Sequence, residues 1–324
     1  MHVFYAPHAV IGRRPRHGAV RATGRLVWVR GAAQVRLVRI LVTGATGFVG
    51  WNVARDLASR GHEVIAAHHA RAPEPSLAAA WWRFSLEAPA LPPALDAVVH
   101  CAAIATVKGC GDDPARAERV NVEASRALAA ECTARAIPLV LTSTDLVFDG
   151  ARAPYREDDE ARPTHVYGAT KLRAERAVLE HDPRHVVLRL ALVVGAHAGR
   201  PGGFLSWLVQ GLSEGRPTPL YTNQVRTPLF VGDVAAVAEA ACARRLAGGV
   251  YHLGSGPPRT REQIGRVVAR VLALSDDAIV PTALPRPPDA PVDDCSLDTT
   301  KIERALGVRL TPLEDALVRT KTEL

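Results

Sequence analysis

The sequence predicts a doubly wound α/β fold, a parallel sheet with helices on both faces, followed by a smaller mixed α/β lobe. Three observations predict it. A glycine-rich turn follows directly on a short apolar strand near Arg39,. From there to about Leu190, short runs of Val, Ile and Leu alternate with helical patterns,. Beyond Leu190 the alternation loosens and prolines gather, most densely in Pro281–Pro291. With 324 residues, 48% hydrophobic and 23% charged, the chain has ordinary globular composition and length for one large or two medium domains,.

The runs Ile40–Thr43, Glu63–Ala67, Ala97–Ala102, Leu139–Thr142 and Val186–Leu190 read as strands. They are short and continuously apolar, as strands covered on both faces should be. The longest helix between them is marked by Asp113 as cap and Pro114 at its first position, with the helical pattern over Ala115–Arg135,. In the later half, Thr260 with Gln263, Thr300 with Glu303 and Thr311 with Glu314 each fit the S/T-x-x-E/Q capping pattern, the last followed by Pro312,. Asp233 reads as the N-cap of a helix over Val234–Ala243 rather than as a catalytic acid,. The expected division is 38–190 for a dinucleotide domain and 191–324 for a mainly substrate-binding lobe, with 229–252 returning to the first domain.

The formal charge is +7, but its position decides what it means. Residues 1–37 hold seven arginines (Arg13, Arg14, Arg16, Arg21, Arg25, Arg30 and Arg36), no lysine and no acid. Of the 40 Lys and Arg residues, 33 therefore remain from Val38 onward against 33 Asp and Glu. The globular part has no bulk basic bias, so nucleic acid is not an expected partner. The leader has neither serine nor a continuous apolar segment, and it reads as an extension outside the fold, disordered or misassigned upstream of a start at Val38. No apolar run approaches the length of about 18 residues that a membrane span requires,. Five cysteines without a C-x-x-C pair suggest reduced thiols in the cytoplasm,. His, Asp and Glu show no metal-ligand spacing, so no metal is expected,.

In Ile40-Leu-Val-Thr-Gly-Ala-Thr-Gly-Phe-Val-Gly50, the glycines Gly44, Gly47 and Gly50 lie between the first strand and an amphipathic helix. Glycine there permits a tight turn and lets backbone N–H groups reach a pyrophosphate at the helix N-terminus. This is the Rossmann fingerprint in its required context, with Thr46, Phe48 and Val49 in the same loop and Ala102 and Ala103 ending a neighbouring strand run,. A carboxylate at the end of the second strand would hold the ribose of NAD. The sequence there is Ala66-Ala-His-His-Ala-Arg71, with no acid. Arg71 with His68 or His69 suits the 2′-phosphate of NADP, so NADP is the expected cofactor and NAD the alternative.

Val166-Tyr-Gly-Ala-Thr-Lys171 sets Tyr167 and Lys171 four apart, on one helix face,. A phenol of pKa about 10 is a poor acid–base group at neutral pH, and a neighbouring ammonium would lower it. Thr142, Ser143 and Thr144 end a parallel strand, where the ligand crevice of such sheets lies,. The plainer alternative for these hydroxyls is a strand end satisfying its own backbone. His100 and Cys101 read as core, and Trp81 and Trp82 as packing,.

Taken in order, these segments resemble the extended short-chain dehydrogenase/reductase superfamily, and within it the dTDP-4-dehydrorhamnose reductase family. The resemblance runs from about Val38 to Leu317. It is carried by the glycine turn, Ser143-Thr-Asp-Leu-Val-Phe-Asp-Gly150, Ala153-Pro-Tyr-Arg-Glu157, Tyr167-Gly-Ala-Thr-Lys-Leu172 and Gln224-Val-Arg-Thr-Pro228. It implies that Thr144 and Tyr167 hydrogen-bond a substrate carbonyl and that Tyr167 gives the proton. It implies further that Lys171 holds the nicotinamide ribose and tunes Tyr167, with hydride passing from C4 of the nicotinamide. Asn121 matches the family's asparagine at the cofactor side, though an ordinary helix residue fits as well. On the substrate side the resemblance implies Asp145, Arg226 and, within Arg286-Pro-Pro-Asp289, Arg286, the arginines facing a nucleotide diphosphate. A homodimer is the family's habit. Two departures touch that side: Leu146 stands where the family has tyrosine, and Asn223 where it has aspartate.

The expected activity is therefore NADPH-dependent reduction of a keto group on a nucleotide-activated deoxysugar. A sugar-nucleotide epimerase of the same superfamily is one rival. A dehydratase is disfavoured because Thr144-Asp145-Leu146 lacks the second carboxylate of a Thr-Asp-Glu run. The rival from another class is a cofactor-binding regulatory module, since the regulatory subunit of methionine adenosyltransferase is similar to these reductases.

Overall fold

The computed structural model describes residues 37–70, 76–197, 202–285 and 293–324. The arginine-rich leader up to residue 36, Arg71 and the segment Arg286-Pro-Pro-Asp289 lie outside the described residues.

Seven strands form the central sheet: β1 (Arg39–Thr43), β2 (Glu63–His68), β3 (Ala80–Arg83), β4 (Ala97–His100), β5 (Leu139–Thr144), β6 (Val186–Leu190) and β7 (Gly249–Leu253). Their spatial order is β3-β2-β1-β4-β5-β6-β7, and every neighbouring pair is parallel. The order reverses between β1 and β4, and ligands of such sheets bind outside the carboxyl ends of the strands at that reversal. Successive residues of β1 alternate between two cores. Ile40 and Val42 join the core under helices Phe48–Ser59 and Val231–Cys242, while Leu41 joins the one under Ala124–Ala134 and Val166–His181. Both faces are apolar, which explains why the strands read as continuous rather than alternating runs.

All five expected strands are present, though β4 stops at His100, two residues short of the expected Ala102, and β5 runs two residues further, to Thr144. The edge strand β3 is missing from the expected set: its apolar run, residues 77–82, is half alanine, a weak strand former, and the strand carries Trp82, 36% exposed, and Arg83 beside the partly buried Trp81,. Neither tryptophan lines the main cleft. Asp113 does cap its helix, accepting the Arg116 amide at 2.9 Å. The single helix expected over Ala115–Arg135 is instead broken, with Glu118–Glu123 widened into a π-turn between Pro114–Ala117 and Ala124–Ala134. That turn carries Asn121, whose side chain bonds the Ile104 backbone and Thr170, while its carbonyl takes the Ser125 hydroxyl at 2.7 Å. Such bulges re-aim a side chain at the cost of regular helix.

The second lobe has its own core, built by Leu205 and Leu208, Ile264 and Val268, and Leu317 from helices Gly203–Ser213, Arg261–Leu272 and Leu313–Thr320. Short strands stitch it together: Thr218–Tyr221 pairs with Ile279–Thr282, and Gln224–Arg226 lies between Arg259–Thr260 and Asp293–Asp294. Thr260 and Gln263 form the expected reciprocal capping box. The other two capping readings change. Thr300 lies inside its helix, whose cap position is Thr299, and Thr311 gives its hydroxyl and amide to Asp233 at 2.9 and 2.6 Å. Asp233 is accordingly no N-cap. It sits in the first turn of Val231–Cys242 and ties the C-terminal segment to that helix.

Candidate active site

A cleft of about 760 Å3 opens at the reversal point, within the usual range for ligand pockets,. The glycine turn forms one wall. Gly44 has φ +69°, and a Cβ there would lie 2.8 Å from the Ala102 amide nitrogen, so the turn closes against β4 only with glycine,. Gly50 is equally bound, since its Cβ would meet the Gly44 carbonyl at 2.3 Å. Helix Phe48–Ser59 starts after Gly47 with no side-chain cap and no acid in its first turn. Its leading N–H groups and dipole are thus left to an anion. Thr46, Gly47, Phe48 and Val49 line the cleft, as do Ala102 and Ala103. A nicotinamide dinucleotide fits these residues, its pyrophosphate at the uncapped helix end.

The adenosine end is lined by His68 and His69 at the end of β2, by Phe84, Ser85, Leu86 and Glu87 beyond β3, and by Arg116. The β3 loop and Arg116 left no mark in sequence reasoning, because no motif places a loop after an unread edge strand. Glu87 brings a carboxylate into a cleft whose β2 end has none. His100 is buried with its Nδ1 2.6 Å from the Thr43 hydroxyl, and Cys101, partly buried, packs against the core while also lining the cleft. Asn121 is a correction. It is buried outside the cleft, its amide committed to Ile104, Cys110 and Thr170.

At the other end Thr142, Ser143, Thr144, Tyr167 and Lys171 line the same cleft. Thr144 accepts the Leu146 amide at 3.2 Å, and its hydroxyl lies 3.1 Å from Asp145 Oδ1. Burial pushes the Tyr167 phenol well above its ordinary range; a hydrogen bond with Thr144 opposes this, while Asp145 and Cys110 add to it. Burial also pulls Lys171 down to about 8, against the pull of Glu175, Cys101 and Cys110. The four-residue spacing therefore sets both groups on one wall, but the phenol is raised, not lowered as the spacing suggested. Desolvation dominates over any charge nearby. At neutral pH the site holds a phenol and an ammonium.

The substrate-side candidates turn toward each other. Arg226, 3% exposed, pairs with Asp145 at 3.3 Å and with Asp293 at 3.0 Å, and neither Arg226 nor Asp145 lines the cleft. Burial raises the Asp145 carboxyl, opposed chiefly by Arg226. Gln224 bonds Asp293 at 2.9 Å and accepts from Arg261 Nε at 2.9 Å, while Asn223 ties to the Leu284 backbone. Arg261 lies over the Phe204 ring, 4.8 Å from its centre. Burial, then repulsion from Arg226, pulls its guanidinium down to about 10, and it pairs with no carboxylate among the described residues. In the sequence it follows a capping threonine and looks like any solvated helix arginine. Among the described residues no three His, Cys, Asp or Glu side chains gather as a metal site, and no helix is long and apolar enough to cross a membrane.

The model of the RmlD substrate binding domain matches residues 38–324. A probable low-salt glycan biosynthesis reductase of Haloferax volcanii is 34% identical over 85% of this chain and 95% of that protein. The dTDP-4-dehydrorhamnose reductase of Mycolicibacterium smegmatis is 29% identical over 88% and 85%. Methionine adenosyltransferase 2 subunit beta of Xenopus tropicalis is 31% identical over 80% of each. Among solved structures, MoeE5 in complex with UDP-glucuronic acid and NAD superposes with a TM-score of 0.75 at 26% identity, over 88% of this chain and 98% of that one. The chain belongs to the RmlD substrate-binding-domain family, and through it to the NAD(P)-dependent oxidoreductases of the extended short-chain type, with the dTDP-4-dehydrorhamnose reductases among its relatives.

Proposed function

We propose that this protein reduces a keto group on a nucleotide-activated deoxysugar with NADPH, in the cytoplasm. One observation carries the reading: Thr144, Tyr167 and Lys171 line the same cleft as the glycine turn and the uncapped end of helix Phe48–Ser59.

A bound reduced nicotinamide supplies a hydride to the carbonyl carbon. Lys171 holds the hydroxyls of the cofactor ribose. Thr144 donates a hydrogen bond to the carbonyl oxygen and orients it toward Tyr167. Tyr167, kept a phenol by burial, delivers its proton to that oxygen as the hydride arrives, so ketone becomes alcohol. The resulting phenolate is stabilised by Thr144 and the Lys171 ammonium until solvent returns the proton. Arg226 is held by Asp145 and Asp293, so we assign the phosphates of the nucleotide to Arg261 instead, which also lies outside the lining of the cleft but makes no ion pair with a carboxylate among the described residues,. The preference for NADPH is supported by His68 and His69 and by the absence of an acid over Ala66–His69. Glu87 works against it.

The test is titration of the protein with NADPH and NADH, followed by nicotinamide fluorescence, with and without dTDP-4-keto-6-deoxyglucose. The reading expects tighter binding of NADPH and oxidation that depends on the sugar nucleotide. Tight binding with no oxidation across several keto-sugar nucleotides would support the second reading, a regulatory module, which the 31% identity to a methionine adenosyltransferase subunit favours.

A further inference from the structure

The helix Val166–His181 presents Tyr167, Lys171 and Glu175 at successive turns along one face,. Glu175 is 2% exposed and lies outside the chemistry described so far. Its carboxylate takes Arg189 of β6 in a fork, Nε at 3.1 Å and Nη2 at 2.8 Å, and also receives the Ser143 hydroxyl. Arg189 Nη1 reaches His252 Nε2 of β7 at 3.3 Å, and His252 Nδ1 lies 3.1 Å from the Tyr155 carbonyl. Those contacts require a neutral imidazole with its proton on Nδ1, and burial followed by the Arg189 charge pushes His252 down to about 3. The string is thus fixed at its far end and meets the active site at two points, Ser143 beside Thr144 and the helix turn of Lys171.

Besides the Tyr167 phenol, which burial keeps neutral, four titratable groups surround Lys171: Glu175 on its own helix, His100 and Cys101 at the end of β4, and Cys110 on helix Val107–Asp112. Burial holds His100 neutral, pushed down to about 3, and lifts the Cys101 and Cys110 thiols. Only Glu175, forked to Arg189, brings a charge to the ammonium at neutral pH.

We propose that Glu175 is the positioning residue of this active site, holding Ser143 and the Thr144 end of β5 against the catalytic helix and supplying the countercharge that keeps Lys171 an ammonium. This rests on the reading of Lys171 as a cofactor contact.

The experiment compares Glu175→Gln, Glu175→Gln/Arg189→Met and Ser143→Ala with the parent protein. The double variant is included because Glu175→Gln alone leaves a buried, unpaired guanidinium, whereas removing both charges of a buried pair is far better tolerated. The first readout is NADPH affinity by fluorescence from about pH 6 to about pH 9.5, wide enough to follow Lys171 through its titration. In the parent, affinity should fall as pH rises through about 8, where Lys171 loses its proton. In both Glu175 variants the fall should begin at least about half a unit lower. The second readout is turnover of the keto-sugar nucleotide, where kcat should drop about tenfold or more at pH 8 with KM changed far less. Ser143→Ala should lower kcat and leave the pH midpoint where it was, since it cuts a hydrogen bond and no charge. A parent-like midpoint in both Glu175 variants, with NADPH still bound at low pH, overturns the proposal and leaves the pair a packing device. If no keto-sugar nucleotide is turned over by the parent, the reductase reading fails while the binding midpoint still decides the role of Glu175.

Discussion

The two ends of the cleft are built on different principles. The cofactor end is made of backbone: a turn that only glycine allows at Gly44 and Gly50, and a helix end with no side chain across it. Beyond the substrate end, outside the lining of the cleft itself, lies a cluster of charged side chains brought together from distant parts of the chain, with Asp145, Arg226, Arg261 and Asp293 contributed by four separate elements. A site of the first kind is local in sequence. A site of the second kind exists only after folding, and its members can be occupied with one another rather than with a ligand.

The largest effect should come where the two ends meet. Tyr167→Phe removes the only proton that the proposed chemistry uses and leaves the ring in place. Turnover of a keto-sugar nucleotide should fall by about 100- to 10,000-fold. NADPH and sugar-nucleotide affinities should change little. An unchanged kcat would break the comparison, because the substrate end would then be a binding surface without chemistry.

What was legible in the sequence follows this division. Gly44, Gly47 and Gly50 could be placed because a strand, a turn and a helix start within eleven residues constrain one another,. The wall formed by Thr142, Thr144, Tyr167 and Lys171 was legible because strand ends and helix faces have fixed directions. The pKa of Tyr167 was not, since spacing reports proximity and says nothing of how much water burial removes,. Asn121 was placed on the right helix, but the π-turn that swings it toward Ile104 has no composition signature. Arg226, expected on the substrate side, lies outside the lining of the cleft. Its two ion pairs come from Asp145 and Asp293, 81 and 67 positions away, beyond the reach of any local pattern.

The contrast between Arg226 and Arg261 sharpens this further. Arg226→Gln breaks a buried ion pair and leaves Asp145 without its main partner, so it should cost about 3–5 kcal/mol of stability. Urea unfolding measures that loss, and activity should fall only as folded protein is lost. Arg261→Gln removes a cation that makes no ion pair with a carboxylate among the described residues and bonds Gln224 instead. Stability should change by no more than about 1 kcal/mol, the worth of one ordinary hydrogen bond. KM for the sugar nucleotide should rise about tenfold, the worth of one charge-assisted hydrogen bond to phosphate. The reverse pattern, a KM effect at Arg226 and a stability effect at Arg261, would mean that the nucleotide displaces the internal pairs.

The smallest effect separates the two ends by pH. In the cofactor half, Glu239 of helix Val231–Cys242 takes Arg60 at 2.6 Å and His62 at 3.1 Å. Burial pushes its carboxyl up, but the hydrogen bonds from His62 and Arg60 outweigh that and hold it down to about 2, from an ordinary 4.5. A carboxylate lowered by folding stabilises the fold above its unfolded value, and that contribution is lost as pH falls from about 4.5 toward about 2,. Asp145 has the opposite sign. Burial raises it, so folding takes up a proton there and its contribution grows as pH falls. Urea midpoints measured from about pH 5 to about pH 3, the range in which carboxylates titrate, should therefore fall less steeply for Glu239→Gln than for the parent, and more steeply for Asp145→Asn. Parallel curves for all three proteins would show that acid sensitivity is set elsewhere and that neither carboxylate couples its half of the molecule to pH.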